Sequence, residues 1–510
     1  MQKTLCSRAQ VARGATYVFV RDAISAVFSI VYIVILARFL SLEEMGVYAL
    51  LSFILMLVQV LGGLALNFAS TKYIAQYVAE EDMKKARSVV TRVLQICVLS
   101  STLLFMLIFV PAEWLSAILF GTAEHALLFR IVAFASVLSI FNAQGGGFLR
   151  GLQRMGALAA VGLIFTAVEK IVAIYLLLYS GWGIYSVAYG WLFGLLISSA
   201  VSLVLTARFL GIFGKTHEIR PLLNFSGPLY LHRTLGLGMQ WVDRLFLAPY
   251  LAYLGMYNIA VRVAVVPALI STAIVVALVP KLSELYAKGT ADSLKNAFRV
   301  STRYAALISF PIIVGLAALA EPVLLIAGKE YVEATLPLAI LCFAAVPQVL
   351  QVAIDPTLLT LERTKTAAIV NASSIISNTA MCYIAFYYFN LGMVGPAWAK
   401  ALASFISFGV GVYALEKIVD IDFDKEALWK SAAAATVMAT AILLLRFVVK
   451  EITVEYYLLP LYAIVGSAVY FLSLVALKAI KKSDIELFHD YLPRRFKRLA
   501  VWLDRIASIE

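Results

Sequence analysis

The sequence predicts an all-α polytopic membrane protein of about fourteen transmembrane helices, and three observations carry that prediction. The first is composition. Of 510 residues, 62% are hydrophobic and 14% charged, against about 25% charged in ordinary soluble domains. A soluble chain of this length could not bury so much apolar surface, so a bilayer must cover it. The second is the length of the apolar runs. Stretches long enough to cross a hydrocarbon core about 30 Å thick lie near 15–38, 45–69, 89–111, 124–147, 156–180, 182–207, 223–248, 251–279, 300–320, 331–355, 366–389, 392–415, 428–449 and 455–477. The third is the placement of charge. With the N-terminus in the cytoplasm, 31 of the 42 Lys and Arg fall on one set of alternate loops and span ends. Five fall on the opposite side and six inside spans. That asymmetry is the positive-inside pattern and puts both termini in the cytoplasm.

The net charge of +12 is therefore a topological signal and not a stripe for nucleic acid, which is not expected as a partner. Residues 1–13 carry Lys3, Arg8 and Arg13 but no short apolar stretch with a small-residue cleavage site, so the first apolar segment reads as a span, not a signal peptide. Cys6, Cys97, Cys342 and Cys382 form no C-x-x-C, and the chain has four histidines. No metal site and no cofactor are expected. There is no P-loop and no long hydrophilic domain to house an active site, so the chain is not expected to be an enzyme.

The first twelve spans repeat at an offset of 209 residues. Met45-Gly46-Val47-Tyr48 meets Leu254-Gly255-Met256-Tyr257, Tyr77 meets Tyr286, Gly151-Leu152-Gln153-Arg154 meets Thr360-Leu361-Glu362-Arg363, and Gly183 and Ala188 meet Gly392 and Ala397. Six spans per copy is an even number, so both copies insert the same way up, related by a pseudo-two-fold axis along the membrane normal. The expected organisation is a first lobe at 1–215, a second at 216–420, an appended helix pair at 421–480 and a basic amphipathic cytoplasmic tail at 481–510. The tail's Arg494-Arg495-Phe496-Lys497-Arg498 cluster suits anionic membrane lipid. Of fourteen prolines only Pro111 precedes residue 221. Bent helices are therefore expected in the second lobe, at Pro228, Pro267, Pro311, Pro347 and Pro396.

Charges inside spans are costly and mark candidate function. In the first span Arg21, Ser25, Ser29 and Tyr32 form one polar stripe with Asp22 beside it. Arg233, Gln240, Asp243 and Arg244 share the seventh span, Asn258 and Arg262 a face of the eighth, and Lys400 lies in the twelfth. Internal ion pairs compete with an anion site as the explanation. Six basic residues stand against three clear acids, Asp22, Glu169 and Asp243, so pairing cannot satisfy all of them. Arginine suits phosphate because its fork is always charged and bidentate. The expected anion ligands are Arg21, Arg233 and Arg262, with Ser25, Gln240, Asn258 and Lys400 as further cavity groups. Glu169–Lys170 reads as structural, and Arg130 as either cavity or surface. Adjacent helix residues point about 100° apart, which predicts separate partners for Arg21 and Asp22.

The run Ala37-Arg38-Phe39-Leu40-Ser41-Leu42-Glu43-Glu44-Met45-Gly46-Val47-Tyr48 resembles the close of the first span in the polysaccharide-exporter branch of the multidrug/oligosaccharidyl-lipid/polysaccharide (MOP) superfamily. The basic loop 71–92 and the Gly151-Leu152-Gln153-Arg154 turn look like further landmarks, and the resemblance covers the whole chain. It implies a cationic central cavity, with Arg21 and Arg262 at the family's arginine positions. It also implies a flippase that carries a polyprenyl- or dolichyl-linked oligosaccharide across the cytoplasmic membrane by alternating access. Glycosyltransferases or a polymerase of the same pathway would be partners. Asp22 departs from that branch and is similar to the acid of the superfamily's drug/cation antiporters, where it would couple an ion. A cation-coupled drug exporter and a non-transporting scaffold of a glycan-assembly complex therefore stay open beside the flippase.

Overall fold

The computed structural model describes residues 2–269, 271, 291–361, 363–449 and 455–479. The tail expected at 481–510 lies outside them, as do Tyr286 and residues 272–279 of the eighth span. The described residues form helices joined by turns and loops, with no strand among them. The helices are α1 (Gln2–Phe39), α2 (Leu42–Gly63), α3 (Leu66–Ala79), α4 (Met83–Phe109), α5 (Ala112–Phe120), α6 (Ala126–Gly151), α7 (Met155–Ser180), α8 (Ile184–Phe209), α9 (Ile219–Leu245) and α10 (Leu251–Ala264). They continue with α11 (Ala291–Ala318), α12 (Ala320–Ala327), α13 (Thr335–Gln351), α14 (Ile354–Thr360), α15 (Thr364–Tyr387), α16 (Val394–Glu416), α17 (Lys425–Val449) and α18 (Leu459–Ala476). The chain divides into two compact units, Met1–Asn258 and Ile259–Glu510. That division falls within α10, whereas the sequence repeat divides at 215/216.

Thirteen helical segments among the described residues are long and apolar enough to span a bilayer. The remaining expected span, 223–248, is the helix α9, which falls short on polarity because it carries Arg220, His232, Arg233, Asp243 and Arg244. Elsewhere the outward surfaces are apolar. Leu99, Leu103 and Leu107 lie along one face of α4, with Val110 at its C-cap, and all are exposed, which suits acyl chains and not water. Proline does not interrupt the helices that hold it in their interior: Pro228, Pro311 and Pro347 lie within continuous α9, α11 and α13.

The second expected span, 45–69, is not continuous. α2 ends at Gly63, Leu64 and Ala65 take left-handed conformations with φ of 48° and 52°, and α3 starts at Leu66. Two successive non-glycine residues in this region are strained, at a cost of order 1–3 kcal/mol each. Tight packing holds α3 in place. A Cβ at Gly147 of α6 would lie 2.6 Å from the Asn67 carbonyl oxygen, and one at Gly151 would lie 2.9 Å from Ile74 Cβ. Thr71 Oγ1 donates to the Gly147 carbonyl at 3.0 Å. Small residues one turn apart thus let two helices touch backbone to backbone, as membrane helices do.

The repeat reappears as matched contacts. A Cβ at Gly46 would collide with the Leu251 carbonyl, and one at Gly255 with the Leu42 carbonyl. The offset of 209 residues relates Gly46 to Gly255 and Leu42 to Leu251, so the contact has two-fold form. Each unit also ties a helix to the loop that follows the sixth span of its repeat. In the first, Arg87 Nε donates to the Leu210 carbonyl and Thr91 Oγ1 to the Ile212 carbonyl, both at 2.7 Å, and Arg92 Nε to the His217 carbonyl at 2.8 Å. In the second, Lys295, Arg299 and Arg303 of α11 pair with Asp420, Asp422 and Asp424. Four residues of helix rise about 6 Å and two residues of extended chain about 6.6 Å, so a helical period of four matches a loop period of two.

Candidate functional site

The first unit carries most of the expected site residues. The polar stripe of α1 faces α7. A Cβ at Gly162 would lie 2.6 Å from Arg21 Cδ, so the arginine stem lies across a glycine of α7. Ser25 Oγ is 3.2 Å from Thr166 Oγ1, and Lys170 Nζ stands 5.5 Å from the centre of the buried Tyr32 ring. Ser29 is exposed and donates to the Ser25 carbonyl at 2.7 Å. Lys170 and Glu169 are buried together, 3.6 Å apart, where Gly190 and Gly194 of α8 admit α7. That pair is structural.

Arg21 and Asp22 do not find separate partners. Arg21 Nη2 and Nε lie 2.7 and 2.9 Å from the same Asp22 Oδ1. The Cβ vectors diverge, but a guanidinium on a long stem reaches back to its neighbour where the carboxylate is exposed and free to turn. Arg130 also finds an acid: its Nη2 donates to Glu113 Oε1 of α5 at 2.9 Å.

Arg150, at the end of α6, is a further cation of this region that the sequence reading placed with the loop. It is half-buried, and the charges of Arg21 and Arg233 both act on it. Neither Arg150 nor Arg233 has a carboxylate partner among the described residues. Arg233 is exposed on α9, its guanidinium 5.2 Å from the centre of the Phe68 ring. The signal that could have found Arg150 is its position on α6 one residue before Gly151, on a helix whose glycines draw α3 close. Three guanidiniums thus share one region of the unit with one paired carboxylate, Asp22.

Other expected residues are placed differently. Asn258 is fully buried and accepts from Arg244 Nη1 at 3.3 Å, while Arg262, one turn further along α10, is exposed in the second unit. Asn258 therefore meets packed protein and not open space, and the face the two were expected to share divides between core and surface. Arg244 also lies over Trp241, 4.3 Å from the ring centre, and Asp243 accepts from Tyr257 Oη at 2.9 Å. These contacts knit α9 to α10. Gln240 is exposed on α9, and Lys400 is half-buried on α16 in the second unit. No group of three or more His, Cys, Asp or Glu able to hold a metal ion occurs among the described residues.

Residues 35–336 match the family model described as "Polysaccharide biosynthesis protein". The chain belongs to that family. It is 23% identical over 437 residues to the "Probable low-salt glycan biosynthesis flippase Agl15" of Haloferax volcanii, covering 84% of its own length and 88% of the relative's. Its fold superposes on lipid II flippase MurJ in an inward closed conformation with a TM-score of 0.75 at 16% identity, over 89% of this chain and 97% of that one. It superposes on an inward-facing multidrug resistance MATE family transporter of the MOP superfamily with a TM-score of 0.66 at 15% identity, over 77% and 96%. At such identities the structural likeness is one of fold. The chain is a multi-pass membrane protein with the fold of these transporters, and the relatives named here carry transport names, not enzymatic ones.

Proposed function

We propose that this chain is a flippase that moves a lipid-linked saccharide across the cytoplasmic membrane by alternating access, with both termini in the cytoplasm. The observation that carries the reading is that one membrane-spanning unit holds Arg150 and Arg233 without a carboxylate partner among the described residues, and Arg21 paired with an exposed Asp22. Like charges gathered inside a span are expensive without a counter-charge. An anionic ligand supplies it, and a phosphate or pyrophosphate link between lipid and sugar is such an anion. Guanidinium forks bind its oxygens in pairs, the sugars occupy the polar interior, and the lipid chain stays in the bilayer. The flippase names of Agl15 and MurJ point the same way. Arg262, on α10, is proposed in its own right as an anion ligand, and enzymes of the same glycan pathway as partners.

The drug-exporter alternative rested on Asp22 as an ion-coupling acid. Its carboxylate is engaged by Arg21, and the net charge of the region is positive, which suits an anion better than a cationic drug. A non-transporting scaffold offers no reason for the arginine cluster. The test is glycan export by cells carrying Arg21→Ala or Arg262→Ala at normal membrane protein levels. Export is lost in both, and Arg→Lys restores part of it because lysine keeps the charge and loses the fork. Normal export by both alanine variants would place the anion site elsewhere.

A further inference from the structure

The loop that follows the sixth span of each repeat is anchored in both units but finished differently. In the first unit it joins α8 to α9 and lies along the start of α4. Arg87 Nε, Thr91 Oγ1 and Arg92 Nε donate to the carbonyls of Leu210, Ile212 and His217, and the His217 N–H donates to the Ser88 carbonyl at 3.3 Å. Gly214 admits the Arg87 stem, since a Cβ there would lie 3.2 Å from Arg87 Cδ. These contacts fix the backbone on both sides of Phe213, whose side chain is nonetheless 87% exposed.

Under the 209-residue offset Ile212, Phe213 and Lys215 meet Ile421, Asp422 and Asp424. The second unit closes its loop on its own protein. Ile421 and Phe423 pack on the core that holds Phe298, while Asp422 and Asp424 pair with Arg299 and Arg303 of α11. The first unit keeps the anchored backbone but places an aromatic ring and a cation where the second has two acids. Lys215 is exposed and has no ion pair among the described residues, and Arg208 and Arg220 are exposed on either side of it. Glu218 is the one acid between 208 and 220. A duplicated loop that gives up its internal partners for exposed apolar and basic groups is built to meet something outside the chain.

The level of the loop says what that is. The apolar run of α4, 89–111, is centred on residue 100, and Thr91 lies nine residues from that centre, about 13.5 Å along the helix. Half the hydrocarbon core is about 15 Å. Ile212, held by Thr91, and Phe213 beside it therefore lie at the boundary between acyl chains and headgroups. An aromatic ring flanked by cations at that depth fits an acidic lipid surface.

We propose that the loop 208–220 is a docking surface for acidic phospholipid of the cytoplasmic leaflet. Phe213 enters the boundary layer, and Arg208, Lys215 and Arg220 hold lipid phosphates. The cytoplasmic placement of this side comes from the proposed function; the lipid partner does not depend on what is transported.

The test reads the depth of residue 213 in vesicles. The full chain, as Cys6→Ser with Phe213→Cys carrying a small fluorophore, is reconstituted into phosphatidylcholine alone or mixed with phosphatidylglycerol. Nitroxides sit either near the headgroup end or at the far end of the acyl chains. Leu99→Cys, on the lipid-facing side of α4 near its middle, is the control for insertion and is quenched best by the deep nitroxide. The label at 213 is quenched best by the shallow one, and phosphatidylglycerol raises that quenching. Lys215→Gln and Arg220→Gln, both at exposed positions, each raise about fivefold the phosphatidylglycerol fraction that gives half the rise. A label at 213 that neither nitroxide quenches, in vesicles where Leu99→Cys is quenched, puts Phe213 in water or against protein and overturns the proposal. So does quenching that phosphatidylglycerol does not raise, or a rise that both glutamine variants leave unchanged. No transport enters these measurements, so their failure leaves the flippase reading standing, and lost export in Arg21→Ala leaves this surface open.

Discussion

Arg21 directs two nitrogens at one oxygen of Asp22, so on the proposed function an anion bound by Arg21 competes with that carboxylate. Asp22 is exposed and the pair is worth only about 0.2–1 kcal/mol. Asp22→Asn removes the competitor, and substrate binding tightens by up to about fivefold, which an equilibrium binding assay on the purified protein reads. Flipping in vesicles should respond to an imposed ion gradient to the same extent before and after the change. A variant that binds substrate but loses gradient-driven flipping would instead make Asp22 the carrier of a coupling ion. Arg150 has no such competitor. Arg150→Ala should therefore abolish glycan export at normal protein levels, with partial return in Arg150→Lys, and unchanged export would remove Arg150 from the site.

The ladder between α11 and the loop 420–424 grades from surface to core. Lys295 meets Asp420 at the exposed end, whereas Arg303 and Asp424 are both buried and 2.9 Å apart. Asp424 also accepts from the backbone N–H of Ala427 at 3.1 Å, at the start of α17. Arg303→Ala leaves the buried Asp424 carboxylate with Arg299 at 4.0 Å in place of a cation at 2.9 Å, at a cost of up to about 3–5 kcal/mol; Lys295→Ala costs under about 1 kcal/mol. Thermal unfolding in detergent checks the difference, and equal effects would mean that burial does not set the strength of these pairs. The spans themselves were legible in the sequence because a bilayer demands long apolar runs whatever the fold. The break at Leu64–Ala65 follows the Gly62-Gly63 pair, a turn signal that the long apolar run around it outweighed, and the two left-handed residues are themselves not glycine; packing on Gly147 and Gly151 holds them. The ladder was not legible: the alternation of Asp420, Asp422 and Asp424 is visible, but nothing local links it to a helix 125 residues away. The arginines of the candidate site were legible where they interrupt apolar runs. Arg150 was lost because it lies at the end of a span and resembles a topogenic loop charge.

At the scale of the whole molecule, loop charge assigns residues near 120 and 330 to the outside and those near 85, 215 and 425 to the cytoplasm. Single cysteines at these sites, labelled with an impermeant reagent, test that assignment. Labelling from outside at 85, 215 or 425 would reverse it. The described native thiols, Cys97, Cys342 and Cys382, are buried and add little background. The two-fold contact at Gly46 and Gly255 and the paired loop anchors support a scaffold built by duplication, while the arginine cluster departs from the repeat: under the 209-residue offset Arg21 meets Tyr230. A charge absent from the matching position of the other copy is better explained by a ligand than by the scaffold. The central claim is that this cluster carries an anionic, lipid-linked saccharide across the membrane. The most direct measurement is the flipping rate of a fluorescent polyprenyl-pyrophosphate-linked saccharide by the purified protein in vesicles. The account predicts flipping by the wild-type protein, loss in Arg21→Ala and Arg150→Ala, and no flipping of a cationic drug. Drug movement without saccharide movement, or full saccharide flipping by both arginine variants, would contradict it.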